Sequence, residues 1–439
     1  MSTGRIDRWR LSATLAAVAL VMSACTAGDD GSPGADGDGL VMISSQLVPT
    51  EEAELMRTEI LAGFSGEVEF IGAEAGPFND QITTQAETGE GDISLIGGLD
   101  GEFQAFAEAG ALTDISDVAE ELADLGINEE YLELGKVGGD QQLYIPWMQA
   151  TYTMAARSEA MEYLPDGADI NALTWEQLTE WGANIEEATG ERRLGFPAGE
   201  DGLLHRFFQG FGYPAFTGGV NTTFTSDAAV EMWNWMTDTW QYVNPQSTTY
   251  GFMQEPLQSG EVWVAWDHTA RLVDAFTNMP DEVVGFPVPA GPEGRAYMPV
   301  VAGLAIPTGA PDPDGAKELI RHLLAPETQT ATLNAVSFFP VIEGELPDVG
   351  AGVQSEIDAV TAQINAEDAL RADLPAGLGE EGEAYSQVFR DAFAQIVIEG
   401  QDPQGVLEAL LPDLQAIFET TEAPCWPPDP ESDGPCQPQ

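Results

Sequence analysis

The residues best equipped for chemistry lie in the stretch 260–270, which reads GEVWVAWDHTA. Its apolar, β-branched and aromatic residues 262–266 predict a short strand after a glycine turn. Trp266, Asp267 and His268 follow at the end of that strand. An aromatic face beside a carboxylate and an imidazole suits a small polar molecule, because the ring covers an apolar face while the polar groups fix its orientation. In the alternative interpretation Trp266 is a core residue, and Asp267 and His268 open a turn.

The charge balance restricts the partners of the chain. Its 439 residues include 74 acidic and 15 basic residues, a formal net charge of −59. This charge argues against nucleic acid as a partner, because phosphates need lysine and arginine. Self-repulsion would destabilise a compact fold in dilute buffer, and salt would relieve it by shortening the Debye length to roughly 3 Å at 1 M. The composition therefore favours a saline habitat, with an acidic surface that serves only solubility as the alternative.

The first 24 residues predict an export signal. Arg5, Arg8 and Arg10 precede an apolar segment, 11–22, that is too short to span a bilayer comfortably. The small residues before Cys25 resemble the lipobox of bacterial lipoproteins. We therefore expect signal peptide 1–24, lipidation of Cys25, a flexible acidic linker over 25–39, and an extracytoplasmic location at the cell membrane.

The two remaining cysteines lie in the Pro-rich tail 423–439. Because an even pair outside the cytoplasm is typical of a disulfide, Cys425 and Cys436 are predicted to be bonded. Asp429, Glu431 and Asp433 faintly imitate the start of a calcium loop, but the bidentate glutamate of such a loop is missing. We therefore expect no metal and no cofactor.

Strands and helices alternate from residue 40. Strands are predicted at 40–44, 68–72 and 92–96, with a helix that ends at Gly66, a helix over 79–87 and a helix that ends at Gly110. This order is typical of a doubly wound parallel sheet, whose ligands bind at the carboxyl ends of the strands. Those ends are residues 44–46 and 97–100.

The later chain mixes extended and helical segments. Extended segments are predicted at 144–155, 284–289 and 301–306, and loops around 207–216. Thr174 and Gln177 predict a capping box at the start of a helix. Further helices are predicted at 228–240, 314–324, 385–398 and 403–418.

The order of these motifs resembles the carbohydrate-type (family 1, maltose-binding-protein-like) extracellular solute-binding proteins of ABC importers. The matching segments are GDISLIGG, FAEAGALTDIS, LYIPW, SGEVWVAWD, GFPVPAGPEGR, VAGLAIP and EGQDPQGVLEAL, spread over about 40–420. The resemblance implies an α/β, two-lobed periplasmic-binding-protein-like fold (type II), with a ligand cleft between the lobes and several hinge crossings. The first lobe would comprise 40–146 and 287–325, and the second 147–286 and 326–422. The crossings would lie near 146–150, 286–289 and Ala325.

The resemblance also implies a set of ligand-binding residues at matching cleft positions. They are Ser45, Gln46, Gly98, Asp100, Trp147, Gln149, Tyr213, Trp266, Asp267, Gly303 and Tyr385. Ala270 stands where maltose-type members carry a stacking tryptophan, and Ala150 is close to a position that is often acidic. Trp266 or Trp147 is therefore expected to stack on the ligand, and a core role for each aromatic residue stays open. His268 is expected to form local hydrogen bonds in a turn.

The function implied is that of a monomeric, non-enzymatic receptor that captures a small polar solute, a sugar or oligosaccharide, and delivers it to an ABC permease. One alternative is a cationic solute such as a polyamine, which Asp100, Asp267 and the ring of Trp266 would suit. Another is a secreted glycoside hydrolase with paired carboxylates. The sequence carries no GxSxG, HExxH or P-loop motif.

Overall fold

The structure is a computed structural model that describes residues 39–127, 129–342 and 349–439. Residues 39–439 form one compact unit. The predicted signal peptide, the lipidated Cys25 and the linker up to residue 38 lie outside the described residues.

The strands are numbered in chain order. They are Leu40–Ser44 (β1), Val68–Gly72 (β2), Ile93–Leu99 (β3), Ile145–Ala150 (β4), Tyr152–Arg157 (β5), Leu194–Gly195 (β6), Val264–His268 (β7), Val283–Phe286 (β8), Arg295–Tyr297 (β9), Val300–Ala305 (β10), Phe339–Pro340 (β11) and Ala369–Arg371 (β12).

The helices connect and cover these strands. The α-helices are Thr50–Leu55 (α1), Ala75–Thr88 (α2), Asp100–Glu108 (α3), Ser116–Glu121 (α4), Glu129–Leu134 (α5), Trp175–Thr189 (α6), Leu204–Phe207 (α7), Tyr213–Thr217 (α8), Asp227–Trp240 (α9), Gln254–Ser259 (α10), Val273–Asn278 (α11), Pro313–Leu323 (α12), Pro326–Val336 (α13), Ala351–Ile364 (α14), Gly382–Phe393 (α15) and Pro403–Thr421 (α16). Three π-helical turns, Met56–Ile60, Phe208–Gly212 and Ala394–Ile398, extend α1, join α7 to α8 and extend α15. Short 3₁₀ turns are Ala123–Leu125, Ser158–Tyr163, Ile170–Ala172, Pro245–Thr249, Thr269–Arg271 and Gly379–Glu381.

The first lobe contains a six-stranded sheet in the order β11-β4-β10-β3-β1-β2. Strands β1, β2 and β3 are parallel, as the strand–helix alternation predicts. The complete sheet is mixed, because β10 runs antiparallel to both β3 and β4. Strand β10 returns to the sheet after the long excursion through the second lobe, and it enters from the opposite end.

The second lobe contains a four-stranded sheet in the order β6-β7-β5-β8. Strand β5 pairs antiparallel with β7 and β8. A large aromatic core fills this lobe and includes Trp175, Phe207, Trp233 and Trp266. The protein is therefore a two-lobed α/β structure with mixed sheets, one core per lobe, and satellite clusters beside them.

Only Thr151 separates β4 of the first sheet from β5 of the second. We therefore place the first crossing at Thr151, and the second between β8 and β10. Helix α13 and strand β11 pack with the first lobe, since Val336 and Val341 belong to its core. For this reason we place the third crossing after β11 rather than near Ala325.

Several local predictions differ from the structure, among them the end of the first helix and the segment 207–216. The first helical segment ends at Ile60, six residues before Gly66. Phe64 lies beyond its end, and the backbone N–H of Phe64 donates to Leu61 O over 3.0 Å. The segment 207–216, predicted as loops, is helical. Its rings pack into the aromatic core, and this burial outweighs the low helix propensity of its glycines. The capping box of Thr174 and Gln177 at the start of α6 is confirmed.

The tail contains a disulfide loop and is held against the second lobe by Asp429. The predicted Cys425–Cys436 disulfide is present, with the Cα atoms 4.5 Å apart. Asp429 is 4% exposed and accepts hydrogen bonds from the backbone N–H groups of residues 220, 221 and 222 and from the side chains of Asn221 and Thr222. Asp429 therefore holds a loop of the second lobe. Across the described ranges, no helix is long and apolar enough to cross a membrane.

Candidate functional site

The carboxyl ends of β1 and β3 form a polar edge of the first sheet. Ser45 follows β1, and its N–H donates to Gly97 O over 3.0 Å. Its hydroxyl donates to Glu102 Oε2 over 2.6 Å, and Gln46 Nε2 donates to Ser45 Oγ over 3.2 Å. Glu102 also accepts from Leu99 N–H over 2.7 Å, and burial raises the pKa of its carboxyl. The chain Gln46–Ser45–Glu102 thus presents hydrogen-bonding groups in fixed orientations.

Asp100 continues this edge at the start of α3. Its Oδ1 accepts a short hydrogen bond from the Tyr144 hydroxyl, and its pKa is raised by burial. Gly303 pairs with Gly98 across β10 and β3. A Cβ atom at Gly303 would lie 2.3 Å from the Tyr144 ring. The glycine therefore leaves room for the tyrosine that holds Asp100.

Gln149 extends the edge towards the first crossing. It pairs with Val301 of β10, and its Oε1 accepts from the Tyr131 hydroxyl over 2.8 Å while its Nε2 donates to Pro340 O over 2.7 Å. It also lines a largely apolar cavity of about 320 Å³ between β4, β11 and α14. The side chain of the crossing residue, Thr151, donates to Met298 O over 2.8 Å.

The structure therefore brings six of the sequence-predicted residues to one edge of the first sheet. They are Ser45, Gln46, Gly98, Asp100, Gln149 and Gly303. Ser45, Gln46, Asp100 and Gln149 are partly exposed, whereas the two glycines are buried. Their contact with a ligand stays a prediction.

The other five sequence-predicted residues are buried inside the lobes. Trp147 is 0% exposed in the core of the first lobe, and its Nε1 has no hydrogen-bond partner. Trp266 is equally buried in the second lobe and stacks on Tyr152 with ring centroids 4.9 Å apart. The core interpretation of these two tryptophans therefore fits the structure, and a ligand contact by either stays a prediction.

Asp267 lies beside Trp266 without access to solvent. Its two carboxylate oxygens accept from the N–H groups of Met253 and His268 over 2.9 and 2.8 Å. Burial raises its pKa to about 7, although Arg271 and the two hydrogen bonds act in the opposite direction. His268 Nδ1 accepts from Ala270 N–H over 3.3 Å, which confirms the predicted local role of this histidine.

Tyr213 and Tyr385 complete the buried group. The Tyr213 hydroxyl donates to Phe224 O over 3.1 Å and accepts from Trp233 Nε1 over 3.0 Å. The Tyr385 hydroxyl donates to Asn221 Oδ1 over 3.0 Å. Both phenols are thus satisfied within the second lobe, and their predicted ligand contacts stay untested.

The second lobe presents groups that sequence reasoning missed. Tyr152 begins β5 directly after the crossing, and His268 of β7 lies opposite it in register, with ring centroids 5.0 Å apart. Arg206 and Arg271 both act electrostatically on the Tyr152 hydroxyl, whose pKa burial raises to about 12. This edge of the second sheet borders the first lobe, since the ring centroids of His268 and Phe338 are 6.2 Å apart and Phe338 directly precedes β11. We call Tyr152, Arg206, Gln209, His268 and Arg271 the second edge.

A signal for part of the second edge exists in the sequence. Arginine is rare in so acidic a chain, so Arg206 beside the aromatic segment 207–216 could have been singled out. Tyr152 has no comparable signal, because its position depends on the pairing of β5 with β7.

The two edges can do hydrogen-bonding and ring-stacking chemistry on a small polar molecule. The part of the chain that the structure describes contains no group of three or more His, Cys, Asp or Glu residues placed to hold a metal ion. The hydroxyl, amide and carboxyl groups of the first edge and the guanidinium groups of the second edge are of the types that recognise a polyol.

Comparison with known proteins identifies the fold and the family. The chain resembles the sugar-binding protein MalE of Xanthomonas citri (TM-score 0.67, 14% identity, covering 87% of this chain and 98% of that one). It also resembles maltose-bound MalE3 of T. maritima (TM-score 0.66, 17% identity, 86% and 99%) and UgpB of Mycobacterium tuberculosis in complex with glycerophosphocholine (TM-score 0.64, 18% identity, 88% and 99%).

No curated protein matches the chain. The family model of bacterial extracellular solute-binding proteins matches residues 63–330, more than half of the chain. The chain therefore belongs to the bacterial extracellular solute-binding proteins.

Proposed function

We propose that the protein is the extracytoplasmic solute-binding component of an ABC transporter, which captures a sugar or oligosaccharide between its lobes. The observation that carries this proposal is the meeting of two polar edges at a one-residue crossing. Gln149 ends the first edge, Thr151 crosses, and Tyr152 begins the second edge. A ligand held by both edges would be enclosed by rotation about the crossings.

Contacts between the lobes support closure as the binding motion. The pKa of Glu52 on α1 is raised by burial and lowered by Arg271 of the second edge, so these groups interact across the lobes. A Cβ atom at Gly101 would meet Ala376 at 3.5 Å. A ligand that touches both edges would favour the closed form by the difference between its affinities for the closed and open forms.

The ligands of structurally similar proteins support a sugar as the solute. These proteins are described as bound to maltose, to acarbose, to cycloalternan and to glycerophosphocholine, and another as specific for β-D-galactopyranose. They favour neither the cationic solute nor the glycoside hydrolase that the sequence left as alternatives. We extend to this chain the common element of most of these ligands, a ring or chain rich in hydroxyl groups.

The site we propose combines both edges. Its first-lobe part is Ser45, Gln46, Asp100 and Gln149, with Gly98 and Gly303 as close-approach positions. Its second-lobe part is centred on Tyr152. Trp147, Tyr213, Trp266, Asp267 and Tyr385 would act from behind as packing that fixes these groups.

The remaining parts of the proposal concern the cell surface. Cys25 would carry the lipid that anchors a monomer outside the cytoplasm, and the acidic linker would let the lobes reach a permease. The closed form would be the one that delivers the solute to the permease.

Thermal unfolding of residues 39–439 in high salt tests the binding function. A screen of neutral sugars, oligosaccharides, polyamines and amino acids is expected to give stabilisation by one class of sugar. A ligand at about 100 times its Kd adds about 2.7 kcal/mol to the free energy of unfolding. Gln46→Ala should abolish the shift, whereas Gln81→Ala, an exposed glutamine of α2, should keep it. Consumption of a glycoside in the screen, or stabilisation by polyamines alone, contradicts the proposal.

A further inference from the structure

Most cations of the described chain have a carboxylate partner. Residues 39–439 contain twelve lysines and arginines, and ten of them have a carboxylate oxygen within 4.0 Å. Within the described ranges, Arg206 and Arg271 are the two without one. In a chain with 74 acidic residues a carboxylate is seldom far away, so an unpaired arginine is unexpected.

The two unpaired arginines both lie within electrostatic reach of Tyr152. Both act on the hydroxyl of Tyr152, which is 3% exposed at the start of β5. Arg271 Nη1 donates to the carbonyls of Asp201 and Gly251 over 2.9 and 3.1 Å, and its guanidinium lies 4.3 Å from the centre of the Phe252 ring. These contacts orient Arg271, and the carboxyls of Glu52 and Asp267 act on it electrostatically without lying within 4.0 Å.

The surroundings of Arg206 contain hydrogen-bond donors in excess. Its Nη1 donates to Gln209 Oε1 over 2.8 Å, which fixes the orientation of that amide and leaves Gln209 Nε2 as a buried donor without a partner. Gln209 is 2% exposed. The indole N–H of Trp266, which stacks on Tyr152, is a further buried donor without a partner.

The π-helical turn that carries Gln209 is close to the crossing between the lobes. A Cβ atom at Gly210 would lie 2.6 Å from Met298, whose carbonyl oxygen accepts from the crossing residue Thr151. Gln209 and the neighbouring Arg206 therefore lie close to the proposed cleft rather than at a distant surface. A partly buried cation without a carboxylate partner and a buried amide N–H without an acceptor both carry a cost, and an oxygen-rich anion would relieve both.

We propose that the solute captured in the cleft carries a negative charge, as a sugar carboxylate or a sugar phosphate, and that Arg206, with Gln209 and Tyr152, binds its anionic group. This inference rests on the proposed function and narrows its ligand class. Arginine suits both groups because its planar guanidinium donates two parallel hydrogen bonds to carboxylate or phosphate oxygens.

Two features offset the repulsion of an anion by so acidic a protein. Salt screens the general field of the surface but acts much less on buried partners. The carboxyls that border the cleft from the first lobe, those of Glu52, Asp100 and Glu102, all have raised pKa values because they are buried. Burial thus weakens the preference of these three carboxyls for their charged form, which lowers the cost of placing an anion near them.

Calorimetric titration of residues 39–439 with matched pairs of neutral and anionic ligands tests the inference. The pairs are glucose with glucuronate and with glucose 6-phosphate, galactose with galacturonate, and glycerol with glycerol 3-phosphate, and maltose represents neutral oligosaccharides. We expect one anionic member to bind at least about tenfold more tightly than its neutral partner, and the carboxylate and phosphate arms identify its source. Arg206→Gln should weaken the binding of that anion about 30-fold and the binding of its neutral partner far less.

A second arginine serves as the matched control. Arg192 is partly exposed and paired with Glu186 at 3.5 Å, so Arg192→Gln should leave anion binding unchanged. Thermal unfolding of each variant verifies that it is folded. Gln209→Leu removes the amide Nε2 donor that has no partner but keeps Arg206, so it should weaken the binding of the anion by a smaller factor.

Three outcomes overturn the inference. Equal or tighter binding of the neutral members contradicts the anionic class while the proposed function stands. If Arg206→Gln lowers the affinity for both members of a pair equally, the arginine does not bind the charged group. If neither the paired ligands nor maltose bind, both the inference and the proposed function fail.

Discussion

Glu356 is the side chain whose environment conflicts most with its charge. It lies on α14 at 1% exposure, and neither carboxyl oxygen has a hydrogen-bond partner. Burial raises its pKa well above the ordinary value. The folded protein therefore holds a proton on Glu356 over a pH range in which the unfolded chain has released it.

The sign of the pH dependence follows from this difference. Because the folded pKa is the higher one, the contribution of Glu356 to the free energy of unfolding is fully present below its unfolded pKa. This contribution is lost as the pH rises towards the folded pKa. Glu356→Gln has nearly the same shape and no charge. We expect the free energy of unfolding of this variant to match that of the wild type near pH 4 and to exceed it by on the order of 2 kcal/mol at pH 8.

Urea unfolding at the two pH values measures this effect. Asp358→Asn, at an exposed position on the same helix, is the control and should change stability little at either pH. A difference between Glu356→Gln and the wild type that is the same at pH 4 and pH 8 would falsify the assignment of the burial cost to charge.

The sequence could indicate which residue types lie at strand ends but not which side chains face outward. Ser45, Gln46 and Asp100 were accessible to pattern reasoning because each directly follows a strand of the βαβ unit. Trp266 was not, because its burial depends on Tyr152 and Phe207, which reach it only through the pairing of distant strands and the packing of α7. Arg206 is notable in the sequence as a rare arginine, but its position near Tyr152 likewise depends on the packing of α7.

At the scale of elements, Asp429 attaches the tail to the second lobe, whereas the disulfide closes a loop within the tail. Asp429 accepts hydrogen bonds from three consecutive backbone N–H groups and two side chains of the 220–222 loop. Removal of the carboxylate leaves those buried donors without an acceptor. We expect Asp429→Ala to lower the free energy of unfolding by about 3 kcal/mol.

Urea unfolding and limited proteolysis of the tail measure this loss. Asp433→Ala, in the same tail but exposed, is the matched control and should cost little. The double variant Cys425→Ser/Cys436→Ser opens the disulfide loop, whose two cysteines are 11 residues apart in the sequence. It should lower the free energy of unfolding by about 3 kcal/mol. A tail in Asp429→Ala that resists proteolysis like the wild type, at unchanged stability, would show that the carboxylate does not hold it.

Elements with strong local signals were predicted well, and elements determined by packing were not. The capped helix α6 and strands β1 and β2 match their predicted starts, since caps and alternating patterns act locally. The extended segment 144–155 breaks at Thr151, where the chain changes sheets, and no local signal marks that break. The direction of β10 follows from the path of the whole chain rather than from its residues.

At the scale of the molecule, the ion pairs do not offset the net charge. The ten lysines and arginines with a carboxylate partner face an excess of acidic groups, and most pairs have at least one strongly exposed member. Exposed pairs contribute only about 0–1 kcal/mol each. Stability in the folded state therefore comes from the two cores, and repulsion between unpaired carboxylates opposes it.

This balance predicts that salt stabilises the protein. Because the Debye length falls from roughly 10 Å at 0.1 M to roughly 3 Å at 1 M, repulsion between surface carboxylates is screened progressively. We expect the Tm of residues 39–439 to rise by roughly 5 °C or more between 0.1 M and 1 M KCl.

Thermal unfolding across a KCl series, with sucrose at matched osmolality as the control, measures the effect. Sucrose stabilises by exclusion from the protein surface, in proportion to its concentration. Screening instead changes fastest at low ionic strength, so most of the rise should occur below about 0.5 M KCl. A Tm that is flat in KCl, or that follows the linear course of sucrose, would mean that the acidic surface serves solubility and places no demand on the salt of the surroundings.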